Sequence, residues 1–160
     1  MKNIYTLTLI SLFFSCNSSA QKKENKETFT VTKTEAEWKA QLSDLQYYVI
    51  REAGTEPAFS SSFNSNHLKG VYVCAACETP LFKSDHKYDS GSGWPSFDRE
   101  VKRNVAYSVD YNIGIARKEE HCATCGGHLG HVFDDGPSET TGLRHCINGA
   151  ALKFIPKKDE

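Results

Sequence analysis

The chain has 160 residues, 39% of them hydrophobic, enough for one domain with a buried core. Its 19 basic and 20 acidic residues leave a formal net charge of -1. No basic surplus is available to neutralise nucleic-acid phosphates or to draw the chain to an acidic membrane surface, and the single methionine, the initiator, excludes a Met-rich binding surface.

Residues 1–20 read as an export leader. Lys2 supplies a positive charge, and IYTLTLISLFF is an apolar run too short to span a bilayer alone. Ser18-Ser19-Ala20 offers small residues for cleavage before Gln21. LFFSC, ending at Cys16, resembles a loose bacterial lipobox, and a membrane-anchored lipoprotein facing the periplasm or cell exterior is preferred to a soluble periplasmic protein. Either route removes Cys16 from redox chemistry, by cutting it off or by blocking its sulfur with lipid. Residues 21–33 follow as a flexible tether, most of it polar and charged.

Thr34 can cap a helix starting at Glu35, with Glu37 at the capping-box position and Trp38 and Leu42 on one face. Ser43 can cap a second helix over 44–53 that ends at Gly54, with Leu45, Tyr48, Val49 and Glu52 at helical spacing. TEPAFSSSFNSN reads as a loop. From Gly70 the pattern changes to short strands. GVYV leads into Cys74, and Leu81-Phe82 follows a proline turn. VAYSV (105–109) and IGIA (113–116) read as a hairpin turning through Asp110-Tyr111-Asn112. His131-Val132-Phe133 and residues 144–147 complete the strands. Two small helices and then antiparallel strands predict a mainly β domain over 34–156.

Four of the six cysteines form two C-x-x-C pairs, Cys74/Cys77 and Cys122/Cys125. Each such turn presents two thiolates on one side of a tight loop, and two turns complete the four sulfur ligands of a structural zinc; soft thiolates suit zinc or iron. Disulfides, which an exported chain permits, are the competing reading. A C-x-x-C-x-x-H-x-x-H set using His128 and His131 lacks the long loop that a zinc finger of two cysteines and two histidines needs. Both histidines are therefore free for other work.

Cys146 stands apart, in GLRHCINGAALKF. On a strand, Arg144, Cys146 and Asn148 share one face, and Leu143, His145 and Ile147 the other. The guanidinium favours thiolate over thiol, and Asn148 can hydrogen-bond a polar group. Taken alone, a buried structural cysteine fits equally well. GGHLGHVFDDG adds His128 and His131 as candidate acids near neutral pH, and YDSGSGWPSF places Trp94 in a Gly/Pro-bounded loop suited to a pocket wall.

Together GTEPAF, GSGWPSF, CGGHLGHVFDDGP, TGLRHCINGAAL and the two Cys pairs resemble the peptide methionine-(R)-S-oxide reductases, over about residues 34–155. The resemblance implies two antiparallel sheets with short N-terminal helices, a four-cysteine site for one Zn2+ per subunit away from the reaction, and no organic cofactor. It implies Cys146 as nucleophile and Trp94 as the pocket for the substrate methyl group. His128, His131 and Asn148 would bind and polarise the sulfoxide, with Arg144 and Asp135 in support. Oxidised proteins would be the substrates, a thioredoxin-like protein or small thiol the reductant, and the enzyme a monomer. Many members of that family carry a resolving cysteine where this chain has Ser92, so a cycle through Cys146 sulfenic acid without an internal partner is expected. A zinc-ribbon interaction module and a Cys-His hydrolase are the rival classes; the first predicts no turnover, the second an acyl-enzyme.

Overall fold

The computed structural model describes residues 28–158. The export leader and residues 21–27 of the expected tether lie outside them. The tether does not run to residue 33: the Val31 N–H donates to Thr124 O at 3.0 Å, and Phe29 meets His121 edge-on above Gly126.

Helix α1 (Glu35–Gln41) begins at the expected cap, Thr34, in a complete capping box with Glu37. Helix α2 (Asp44–Glu52) has a second box, Ser43 with Gln46. Its end differs from expectation. Ala53, not Gly54, takes the left-handed conformation at φ 53°, and Gly54 is needed because a Cβ there would strike the Tyr48 ring. Trp38, Leu42, Val49 and Ile50 are buried, while Leu45 and Tyr48 are largely exposed.

Among the described residues nine strands follow: β1 (Gly70–Cys74), β2 (Pro80–Lys83), β3 (Lys87–Tyr88), β4 (Ser96–Phe97), β5 (Val105–Asp110), β6 (Arg117–Cys122), β7 (His128–Phe133), β8 (Arg144–Ile147) and β9 (Leu152–Pro156). They form two sheets, β2-β1-β9 and β3-β4-β8-β7-β6-β5, antiparallel throughout. The mainly β architecture with two short N-terminal helices is therefore what the chain forms. Between the sheets Phe82 stacks on Phe97 at 4.4 Å, and Tyr72 meets Phe97 edge-on at 5.1 Å. Ile147 and Leu129 are fully buried with them. Such aromatic pairs add to the burial that holds the layers together.

The expected hairpin is corrected in its second strand. Asp110 still belongs to β5, IGIA lies in the connecting loop with Ile113 and Ile115 exposed, and the partner strand is Arg117–Cys122. RKEEHC contains no Val, Ile, Thr, Phe, Tyr or Trp. It is a strand because β5 and β7 pair with it on both sides, and tertiary context outweighs propensity.

Candidate active site

Strand β8 runs between β4 and β7, so Cys146 stands opposite Ser96 on one side and His131 on the other. The alternation expected from sequence holds. Arg144 and Cys146 are half-buried on one face; His145 and Ile147 are wholly buried on the other. That second face is core. His145 Nδ1 pairs with Glu120 Oε1 at 2.6 Å, both side chains fully buried, and burial raises the Glu120 carboxyl despite the imidazole.

Cys146, Trp94, His131 and Asn148 meet in one cavity of about 130 Å³, closed by Thr55, Arg117, Gly130 and Phe133. That is room for the end of one unbranched side chain. Burial pushes the Cys146 thiol up, while a hydrogen bond with Ser92 Oγ at 3.8 Å and the charge of Arg144 pull against it. Burial therefore favours the thiol over the thiolate at Cys146.

The two histidines of HLGH should face opposite sides of a regular strand. A bulge prevents this. Glu120 pairs with Gly130 and His121 with His128, so Leu129 is an extra residue on β7. The parity flips, and the rings of His128 and His131 come within 5.5 Å. Each is held by a carboxylate that sequence reading did not pick out. Glu119 Oε1 bonds His128 Nδ1 at 2.6 Å and also accepts, through Oε2, from Ser108. Asp110 bonds His131 Nε2 and accepts from Arg117 at 3.0 Å. Burial works to raise the Asp110 carboxyl, but bonds from His131, the Asn112 N–H and Arg117 outweigh it and hold it at about 2. For His131, burial wins over the pull of Asp110 and lowers the imidazole below its ordinary value. Nε2 of His128 is buried without a hydrogen-bond partner among the described residues.

Arg144 and Asp135 form a fork at 2.8 Å on both arms, with the guanidinium 4.5 Å above the Phe133 ring. This pair lies outside the cavity wall, in an adjoining polar cleft that includes Ser92. His128 is likewise beside the cavity rather than on its wall.

Glu56 was not singled out from sequence, although it lies in GTEPAF. It is 3% exposed, and all its polar groups serve the site. Its N–H donates to Asn148 Oδ1 at 3.0 Å, and its carbonyl accepts from Trp94 Nε1 at 3.1 Å. Its carboxylate accepts from the Gly149 and Ala150 N–H groups at 2.6 and 2.8 Å. Asn148 Nδ2 donates onward to Leu129 O at 3.0 Å. A buried carboxylate in a loop leaves no periodic mark, and its partners are more than 90 residues away.

Cys74 and Cys77 come from the end of β1, and Cys122 and Cys125 from the end of β6. All four Sγ atoms lie within 4.8 Å of one another, with pairs at 3.8 and 3.5 Å. Tetrahedral thiolate sites with metal–sulfur bonds of about 2.3 Å need edges of about 3.8 Å, so the set fits a metal ion. Disulfide bonds of about 2.05 Å do not describe it, and the cysteines are free. Hydrogen bonds from Cys125, Cys74 and Cys77 hold Cys122 far below the ordinary thiol range. The cluster shares no residue with the cavity around Cys146.

The fold thus combines a cavity around one half-buried thiol with a separate cluster of four cysteines that could hold a metal ion. The SelR domain model matches residues 42–156. A Leptospira interrogans protein named peptide methionine sulfoxide reductase MsrB is 53% identical over 127 residues, covering 79% of this chain and 96% of its own. One of the same name from Bradyrhizobium diazoefficiens is 52% identical over 128 residues, covering 79% and 91%. The mouse protein named methionine-R-sulfoxide reductase B3, mitochondrial, is 42% identical over 143 residues, 89% of this chain and 56% of that one. The chain belongs to the MsrB family of peptide methionine sulfoxide reductases.

Proposed function

We propose that the protein reduces methionine-(R)-sulfoxide in proteins to methionine, with Cys146 as the nucleophile. The observation that carries this is the single cavity in which Cys146, Trp94, His131 and Asn148 meet. In the free enzyme the thiol and the imidazole facing it are both neutral, one raised and one lowered. The thiol proton passes to His131. The thiolate attacks the sulfoxide sulfur, and the sulfoxide oxygen takes the proton back from the imidazolium. The oxygen ends on Cys146, which becomes sulfenic acid, and methionine leaves; the thiol is oxidised by the two electrons that reduce the sulfoxide.

The neighbours take the remaining roles. Trp94, fixed by its Nε1 bond to Glu56, offers an indole face to the substrate methyl group. Asn148 spends one amide N–H on Leu129 and turns the other to the sulfoxide oxygen. His128, with Nε2 open, adds a second imidazole beside it. Arg144, clamped by Asp135, lends its charge to the thiolate. The four-thiolate cluster holds zinc, which braces the two sheets and takes no part in the reaction.

Among the described residues every other cysteine belongs to the metal cluster. The sulfenic acid is therefore reduced by an external thiol, a thioredoxin-like protein or a small one, through an intermolecular disulfide. The leader supports a site of action outside the cytoplasm, with lipid on Cys16; the mass of the mature N-terminus tests that. The central test is turnover of separated sulfoxide epimers in a peptide with dithiothreitol. R-selective turnover lost in Cys146→Ser is expected. Turnover retained in that variant, or an intramolecular disulfide to Cys146 in the oxidised enzyme, would refute the scheme.

A further inference from the structure

The loop between β3 and β4 carries Ser90 and Ser92, and Ser96 opens β4. Ser96 stands opposite Cys146 of β8 and is fully buried. Glycines at φ 70° and 93° fold the loop back on itself, and three hydroxyls come to lie in series between the sulfur and a carbonyl. Ser92 Oγ is 3.8 Å from Cys146 Sγ, Ser90 Oγ 2.9 Å from Ser92 Oγ, and Ser96 Oγ 2.7 Å from Ser90 Oγ. Ser96 Oγ donates to Trp94 O at 3.1 Å. The reductase reading above gives no task to Ser90 or Ser96.

Each link of this series needs one proton between its two heavy atoms. Among the described residues the series has four links. Three hydroxyls and the Cys146 S–H supply four protons, so a thiol satisfies all of them: S–H to Ser92, Ser92 to Ser90, Ser90 to Ser96, Ser96 to Trp94 O. A thiolate leaves three protons for the same four links. Ser92 favours the thiolate only by turning its proton to the sulfur, and one link further along is then empty. Oxygens 2.7 and 2.9 Å apart admit no water between them. The loop also pins the oxygens in place, because the Ser92 N–H donates to Ser90 Oγ and the Trp94 N–H to Ser92 Oγ.

We propose that Ser90 and Ser96 are positioning residues that keep the Ser92 hydroxyl turned away from Cys146 until the thiol proton is taken. The inference rests on the reading of Cys146 as nucleophile and adds the residues that govern when it ionises. Thiolates, rather than thiols, react with oxidants and alkylating agents. The series thus shields the resting cysteine, and among the described residues every other cysteine belongs to the metal cluster and none is free to rescue an oxidised Cys146. The titratable and charged groups around the sulfur are Arg144 on β8 with its partner Asp135, His131 on β7, Tyr88 on β3, and Glu120 of β6 on the other face of the sheet. None of them belongs to the series.

The test is the rate of iodoacetamide alkylation of Cys146 against pH in the purified protein, read on the Cys146 peptide by mass spectrometry so that the clustered thiols do not interfere. Ser96→Ala and Ser90→Ala each leave two links for two hydroxyl protons, so Ser92 can serve the thiolate with no link left empty. The midpoint of the profile is expected to fall in both, with about fivefold more thiolate at neutral pH, the contribution of one hydrogen bond. Ser92→Ala/Ser96→Ala is expected to keep the midpoint of Ser92→Ala, because Ser96 acts through the Ser92 hydroxyl. A midpoint that stays or rises in either folded single variant overturns the proposal. The same fall in the Ser92→Ala background overturns it too, as general loosening of the site, and so does a changed plateau with an unmoved midpoint, as altered access to the sulfur. Ser90 is a half-buried loop residue, so its variant carries the test if Ser96→Ala does not fold. Alkylation needs no turnover: a protein that shows the expected shifts but reduces no R-sulfoxide sinks the reductase reading alone.

Discussion

Replacing Glu56 by alanine removes the one carboxylate that holds the turn after Asn148. Two N–H donors, Gly149 and Ala150, lose their acceptor. A hydrogen bond to a charged group contributes about 1.5–3 kcal/mol, and a buried donor left unpaired is costly. Gly149 is buried, whereas Ala150 is only half-buried and can find water, so the lower part of the combined range applies, about 3 kcal/mol. For a domain of this size that lowers Tm by roughly 10 °C. Glu56→Gln keeps one oxygen for one donor and turns an amide N–H towards the other, so roughly half the loss is expected. The bonds to Asn148 and Trp94 come from the Glu56 backbone and survive both changes. Substrate binding should therefore change little, while the turn that sets Asn148 relative to Cys146 loosens. At a temperature where both proteins are folded, kcat is expected to fall about tenfold or more with KM nearly constant. Thermal melts and steady-state kinetics on an R-sulfoxide peptide read both effects. Alanine at position 56 with an unchanged melt and unchanged kcat would show that the carboxylate positions nothing.

Other outcomes follow from the same geometry. Cys122→Ser removes one of the four sulfur ligands, and metal content by atomic absorption should fall with a Tm drop of more than about 10 °C, since structural sites of this kind contribute folding energy directly; a metal-free variant with the parent melt contradicts the assignment. The pH profile of kcat/KM should be flat across neutrality. Its acid limb lies below the ordinary imidazole value of 6.5 because His131 is lowered, and its basic limb above the ordinary thiol value of 9.0 because Cys146 is raised. Arg144→Met removes a charge that favours the thiolate and should move the basic limb further up; a downward move would reverse the electrostatic reading. Ser92→Cys should form a disulfide with Cys146 after one turnover, detected as loss of the free thiol, because Ser92 Oγ is 3.8 Å from Cys146 Sγ and glycines at φ 70° and 93° flank it.

Much of this was legible in the sequence, for identifiable reasons. Thr34 with Glu37 is a local capping pattern, and C-x-x-C is a local ligand pattern, so both survive folding unchanged. Period-two alternation placed Arg144 and Cys146 on one face of β8. The same rule failed for HLGH, because a bulge is set by register with β6 and not by the residues of β7. It failed for RKEEHC, whose strand conformation comes from two neighbours. Glu56, Asp110 and Glu119 are ordinary acidic residues until the fold brings their partners, Gly149, His131 and His128, to them. The His145–Glu120 pair is of the same kind, a buried hydrogen bond that no spacing announces.

The turn at Gly149–Ala151 is where the first C-x-x-C knuckle and Glu56 meet. It joins β8, in the six-stranded sheet, to β9, in the three-stranded one, and begins immediately after Asn148. From one side the Glu56 carboxylate holds Gly149 and Ala150. From the other, the Ala75 N–H, inside the first C-x-x-C knuckle, donates to Ala151 O at 2.9 Å. A metal that fixes the knuckle therefore also fixes the far end of the turn, although it shares no residue with the cavity. Two clamps on one short turn should not act independently. In a double-mutant cycle of Glu56→Ala with Ala75→Pro, which deletes the N–H on the knuckle side, each change alone leaves one clamp in place. The double variant loses both, so its loss of kcat should exceed the product of the single losses, with a coupling of roughly 1 kcal/mol. Strict multiplicativity would mean that the metal and the cavity are mechanically separate, and that the knuckle serves stability alone.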